Sequence, residues 1–199
     1  MEEVFSRKMK RLTASLGLFV SFTSLLGSVS YSQEASKVQI FDSNITVDQV
    51  VKAQAGWCNA LLKISSTYAS GGISAAKPLA AQVINSAYAY QYGPVAFKPT
   101  LASGAQTFRP TKEGALAYFV GNDPNYPSDK GFALKDWRSC TAVNKVIQLN
   151  GPSATTMGDV FFTDSKGVVT KVDKTWSFIR ENDGSIRIML HHSSLPFCG

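Results

Sequence analysis

The chain contains two histidines, and they are adjacent: His191-His192, followed by Ser193-Ser194. A catalytic zinc takes three protein ligands, commonly three histidines or histidines with a carboxylate or thiolates. In a strand, neighbouring side chains point to opposite faces, so one histidine looks into any given pocket. A three-histidine centre within one subunit is thereby excluded, and nothing in the spacing of Cys58 or Cys140 points to a mixed site. Strict alternation puts Arg187, Met189, His191 and Ser193 on one face and Ile186, Ile188, Leu190, His192 and Ser194 on the other. Same-face residues two apart lie roughly 7 Å apart along a strand, too far for a direct Ser–His hydrogen bond. No GxSxG elbow is present either. What the face offers is an imidazole and a hydroxyl aimed at one cavity, which suits a small polar ligand and a water. The plainer reading makes one histidine a satisfied core residue and the other a surface residue.

Two further stretches are composed for a site. Val95-Ala96-Phe97-Lys98-Pro99-Thr100 puts a hydroxyl where a proline stiffens the exit of a strand, and loop starts of this kind often carry function. Phe108-Arg109-Pro110-Thr111 then feeds a short segment bearing Tyr118. Their plainer readings are a solvated threonine at Thr100, a helix N-cap at Thr111 and a core aromatic with its hydroxyl at the rim at Tyr118.

The elements that must position these residues can be read from periodicity. Thr46–Tyr68 carries a helix signature, with Val47, Val50, Val51, Cys58, Leu61 and Leu62 on one face, Gln54 as the polar break and Trp57 flanking. Thr46 with Gln49 forms a capping box, and Gly71-Gly72 closes the helix. A second helix is expected from near Pro78 toward Gly93. Val95–Thr100 is extended, and Thr111 opens a short helix that ends at Gly121. From Phe132 the period changes to that of strands: Phe132–Gln148, Thr155–Thr163, Val168–Arg180 and Ser185–Ser193. The turns between them are Asn150-Gly151, Asp164-Ser165-Lys166-Gly167 and Asn182-Asp183-Gly184. Helices followed by an antiparallel meander define an α+β domain whose sheet buries one face on those helices.

Composition narrows the function classes. Charged residues are 17% and the apolar set 44% of 199 residues, enough for a core and wrong for a polytopic membrane protein. Arg7, Lys8, Lys10 and Arg11 against Glu2 and Glu3 supply two units of the formal charge of +6. The remaining basic residues are scattered, without the stripe that neutralises a phosphate backbone, so nucleic acid is not an expected partner. Those first basic residues, the hydroxyl-interrupted apolar run Leu12–Val29 and the small residues around Ser28–Ser32 read as a secretory signal peptide. Residues 1–32 are expected to be cleaved, 33–44 to form a flexible N-terminal segment and 45–199 a single domain. The run is too polar for a good spanning helix, so no membrane anchor is expected to survive cleavage. Cys58, Cys140 and Cys198 then enter a compartment that permits disulfides, where at most one intrachain bridge can form. A periplasmic or secreted location follows.

Three segments together resemble one family. Gly93–Thr100 (GPVAFKPT), Phe108–Gly121 (FRPTKEGALAYFVG) and His191–Pro196 (HHSSLP) look like the iota-class carbonic anhydrases. The order of elements resembles the nuclear-transport-factor-2-like cone, as in the calcium/calmodulin-dependent kinase II association domain, with N-terminal helices packed on a curved, mostly antiparallel sheet. The similarity covers about residues 45–197. It implies reversible hydration of carbon dioxide to bicarbonate in a homodimer, with no cofactor and no metal. It also implies that Thr100, Tyr118, His191 and Ser193 are catalytic, the three hydroxyl residues holding substrate and His191 relaying the proton. The competing readings are a non-catalytic dimeric small-ligand-binding or assembly module of the same fold, and a metal-assisted hydrolase or lyase using the same cavity.

Overall fold

The computed structural model describes residues 41–197; the expected signal peptide and Cys198 lie outside them. Helix α1 (Val47–Ala87) opens on Thr46, whose hydroxyl accepts from the Gln49 amide while the Gln49 side chain accepts from the Thr46 amide. That is the capping box read from the sequence. Gly72, at φ 63° and ψ −164°, breaks the helix into two arms. The second arm resumes directly after it, several residues earlier than expected. Pro78 therefore sits inside the arm rather than at its start, where it forgoes one backbone hydrogen bond. The arm ends at Ala87, and Tyr88 is already extended.

The buried face of the first arm is also turned from the one expected. Val50, Gln54, Trp57, Cys58, Leu61 and Ile64 are buried, whereas Val47 and Val51 stand half exposed. Gln54 belongs to the core because its amide has partners there. It donates to Asn144 Oδ1 (2.8 Å) and Thr156 Oγ1 (3.1 Å), and accepts from Asn144 Nδ2 (2.7 Å).

Five strands form one sheet in the order β1-β5-β4-β3-β2. They are β1 (Ala96–Lys98), β2 (Trp137–Asn150), β3 (Ser153–Asp164), β4 (Val169–Arg180) and β5 (Ile186–Ser194). The last four are the expected meander, except that Phe132–Leu134 is a short 3-10 turn and not strand. Helix α2 (Lys112–Val120) is capped by the Thr111 hydroxyl, which accepts from the Gly114 amide, and it stops at Gly121 as expected. The sheet curves around α1, and two of its three register shifts set which side chains enter the cone. At Asn144/Val146 the backbones close so tightly that a Cβ on Gly158 would lie 2.2 Å from the Val143 carbonyl oxygen. The second bulge falls in β5, where Ser177 pairs with Leu190 but Phe178 pairs with Ile188, leaving Met189 as the extra residue.

That second bulge corrects the strict alternation. Ile188, His191 and Ser193 all face the core, while Met189 and His192 face out. His191 and Ser193 share a face as expected, but Met189 does not join them, because an inserted residue inverts the parity beyond it.

Of the at most one intrachain bridge the cysteines allow, the structure forms Cys58–Cys140, 82 residues apart, tying α1 to β2. Closing a loop of that length restricts the unfolded chain, worth about 2–4 kcal/mol in typical cases.

Candidate active site

Strand β1 lies parallel to β5, with Phe97 beside His191 and Lys98 beside His192. The chain continues past Pro99 along the end of β5, which brings Thr100 to Ser193. Their hydroxyl oxygens are 2.6 Å apart. Ser193 is 1% exposed and Thr100 half-buried, so the pair spans the boundary between core and solvent. The Lys98 ammonium donates to the Ser193 carbonyl (2.9 Å) and holds the β5 end against β1.

Tyr118 comes to the same place from α2. Its ring packs edge-on against Phe97 (5.8 Å between centroids) and is stacked on Phe132 (5.5 Å). The hydroxyl is buried and makes no well-formed hydrogen bond. Burial raises its pKa far above the ordinary tyrosine value, only partly opposed by the Leu101 backbone and the Thr100 side chain and backbone beside it. Tyr118 therefore stays a proton donor through the whole working range of pH.

The loop carrying Thr100 and the start of α2 are locked together by Arg109. It is 1% exposed and forms a two-point pair with Asp129 (2.5 and 3.0 Å). It also donates to the Gln106 and Gly114 carbonyls and lies over the Tyr126 ring (4.5 Å). The Phe97 carbonyl accepts from the Arg109 amide (2.8 Å), closing the loop on β1.

His191 stands in the core, 2% exposed, with its ring 4.6 Å from Phe97. Both ring nitrogens are engaged inside the protein. Nδ1 is 2.8 Å from the Tyr88 hydroxyl, which in turn accepts from the Trp57 indole N–H (2.9 Å). Nε2 is 2.7 Å from the amine of Lys174. Burial, then Lys174 and His192, push the His191 pKa well below its ordinary value. Burial alone pushes Lys174 far below the lysine range; burial, opposed by the Trp57 hydrogen bond and aided by Tyr90 and Tyr118, holds Tyr88 far above the tyrosine range. Lys174 Nζ lies 4.8 Å from the Trp57 ring and 5.2 Å from that of Trp176. Cation–π attraction of about 0.5–2 kcal/mol per ring does not offset several kcal/mol for desolvating an ammonium.

Of the four residues expected at the site, Thr100 and Ser193 are in direct contact and Tyr118 lies beside Thr100, while His191 stands two residues from Ser193 on β5 and packs on Phe97. Sequence reasoning missed Trp57, Tyr88, Arg109, Asp129 and Lys174. For Lys174 a signal was present: Val172, Trp176 and Phe178 alternate on the buried face of β4, and the lysine falls in their register. Among the described residues, no three His, Cys, Asp or Glu side chains come together as a metal-binding group.

The cone gathers a hydroxyl pair, a buried phenol and a buried imidazole among apolar rings. The family of metal-independent carbonic anhydrases matches residues 48–195, and the chain belongs to it, in the iota class; its activity is the reversible hydration of carbon dioxide. A metal-independent carbonic anhydrase of Nostoc sp. (strain PCC 7120) is 52% identical over 161 residues, which is 81% of this chain and 78% of that protein. A crystal structure of a cyanobacterial iota-carbonic anhydrase complexed with bicarbonate has the same identity and a TM-score of 0.80, covering 82% of this chain and 99% of that one. More remotely similar is a protein from Xanthomonas campestris described as a calcium/calmodulin-dependent protein kinase II association domain. It is 20% identical over 80% of this chain and 95% of that one, with a TM-score of 0.49.

Proposed function

We propose that hydration takes place at the Thr100–Ser193 hydroxyl pair, with Tyr118 as the third hydrogen-bonding group and His191 as a supporting wall. The observation that carries this is the 2.6 Å contact between two hydroxyls beside a buried phenol that lacks a well-formed partner. The bicarbonate complex of the cyanobacterial relative supports carbon dioxide–bicarbonate chemistry for this chain.

Within the pair one hydroxyl donates to the other, leaving one free O–H and lone pairs. The lone pairs can orient the attacking water. The free O–H and the Tyr118 O–H meet the carbon dioxide oxygens, where negative charge grows as the new C–O bond forms. Fixed donors and a held water convert much of the barrier into prior positioning. Because both His191 nitrogens are occupied, the proton lost by the water leaves on the solvent side, past the half-buried Thr100. A bound metal would lower the pKa of water from about 15.7 toward 7; hydrogen bonds alone activate it less, so turnover is expected to be modest. Tyr118→Phe keeps the ring packing and removes the O–H, and kcat in stopped-flow hydration assays should fall roughly 10- to 100-fold. Full activity in that variant would exclude the phenol from the reaction.

The chain is further proposed to be exported and to form a homodimer. The Cys58–Cys140 bridge fits an oxidising compartment. The outer face of the sheet carries Val146, Met157, Thr175 and His192 as one cross-strand row, with Val146 51% and Met157 59% exposed. A groove of about 410 Å³ lined by Phe108, Leu190 and His192 adds apolar surface suited to a second copy. Light scattering on the mature chain, together with its N-terminal sequence, reads both proposals; a monomer or an uncut N-terminus would refute the respective one.

A further inference from the structure

Lys174 has no part in the hydration chemistry described above, yet it is buried inside the cone directly opposite Ser193 in the β4–β5 register. The hydrogen-bond donors around it give the contacts a direction. An indole N–H can only donate, so the Tyr88 oxygen accepts from Trp57. The Tyr88 proton then has His191 Nδ1 as its acceptor. With Nδ1 accepting, a neutral imidazole carries its proton on Nε2. That N–H points at Lys174 Nζ, 2.7 Å away, and an ammonium has no lone pair to receive it. The amine must be neutral.

In the reverse arrangement, an ammonium donates to Nε2 and Nδ1–H donates to Tyr88. The Tyr88 proton is then left without an acceptor in the core, a costly state for a buried hydroxyl. A full charge is also left in the core, and no ion pair of Lys174 exists among the described residues to balance it. The groups that face the amine are His191 from β5, Trp57 from α1 and Trp176 from its own strand. His192, which senses both Lys174 and Lys98, is basic as well, and Tyr88 lies on the far side of the His191 ring. The surroundings therefore favour the uncharged pair.

We propose that Lys174 is a positioning residue for carbon dioxide hydration: its neutral amine accepts the Nε2–H of His191 and holds that imidazole uncharged, in one tautomer, against Phe97 beside the Thr100–Ser193 hydroxyls. The inference rests on the placement of the reaction at that hydroxyl pair. Its chemical sense lies in the substrate and product. An uncharged wall admits apolar carbon dioxide, whereas an imidazolium there would hold water and retain bicarbonate. The relay from Trp57 through Tyr88 and His191 to Lys174 also ties the site end of β5 to α1, so the ring cannot swing away from Phe97.

Nitrogen-15 NMR of the wild-type protein tests the protonation pattern without reference to activity, using His192→Gln to separate the two imidazoles. Between pH 6 and 9, His191 should show an unprotonated Nδ1 and a protonated Nε2 with no titration, and Lys174 Nζ should resonate as an amine. A protonated Nδ1 or an ammonium at position 174 overturns the proposal, whatever the assignment of the reacting hydroxyls. For the functional half, Lys174→Met removes the acceptor while filling the space. The expected result is a folded protein with kcat at least tenfold lower and KM within twofold. Lys174→Arg, permanently charged, should lose at least as much activity. A folded Lys174→Met protein with wild-type kcat overturns the positioning role. The wild-type spectrum decides the protonation pattern even if neither variant folds.

Discussion

Ser193→Ala is expected to lower kcat for carbon dioxide hydration by roughly 10²- to 10³-fold, the range for losing one preorganised donor at a site of developing negative charge. The Ser193 hydroxyl is 1% exposed and meets Thr100 at 2.6 Å, so no water from bulk solvent readily replaces it. Its removal leaves Thr100 free to rotate and the attacking water without one of its two anchors. The fold should survive, because the lost contact is a single hydrogen bond worth about 1 kcal/mol and Thr100 reaches solvent. Circular dichroism and the melting temperature should change little while stopped-flow rates collapse. Thr100→Val, which keeps the shape and removes the other hydroxyl, should behave alike. If the two losses are not additive in the double variant, the hydroxyls act as one unit.

Arg109→Met is expected to be the most damaging single change to stability, about 3–5 kcal/mol, in a domain whose total is on the order of 5–15 kcal/mol. The substitution leaves Asp129, itself 5% exposed, as an uncompensated carboxylate in the interior. It also strips the hydrogen bonds to Gln106 and Gly114 that join the Thr100 loop to α2. Arg109→Lys should not restore the midpoint, because an ammonium cannot reproduce the two-point geometry with the carboxylate. Urea unfolding followed by tryptophan fluorescence measures this directly. An unchanged midpoint would mean that the pair does not fasten the site loop. Replacing both partners with apolar residues should recover much of the loss, since breaking one half of a buried pair costs more than removing the whole.

The contrast between these two sites also explains what could be read before any coordinates. Thr46 with Gln49, Thr111 before α2 and the Gly-bearing turns of the meander are local signals, in which the deciding partner lies three or four residues away. Each appeared where expected. The resemblance to the family supplied Thr100, Tyr118, His191 and Ser193, and strand parity independently joined the last two. The misses share a different cause. Gly72 ends one helical arm but also starts the next, so Pro78 marks no boundary; a glycine with positive φ serves either purpose. Met189 is polar in neither sense and gives no hint that it is the extra residue of a bulge. Arg109 and Asp129 are 20 residues apart, and His191 and Tyr88 are 103 apart. Arg109 and Asp129 meet across helix α2, one from the segment before it and one from the segment after it, and Tyr88 meets His191 because the end of α1 runs onto β5 beside Ile188; neither arrangement leaves a periodic trace. Lys174 is the instructive case: the alternation that places Val172, Trp176 and Phe178 inside places it there too, and only the expectation that lysine lies outside conceals it.

Hydroxyls at the solvent end of an apolar cone are proposed to hydrate carbon dioxide without a metal. The most direct measurement is stopped-flow hydration by tag-free wild-type protein and Ser193→Ala, each assayed before and after exhaustive chelation, with metal content determined on the same samples. The wild-type rate should be unchanged after chelation, and the Ser193→Ala rate should be lower by roughly 10²-fold or more. A wild-type rate that disappears with the metal and returns on its addition, or a Ser193→Ala protein as fast as the parent, would contradict the proposal.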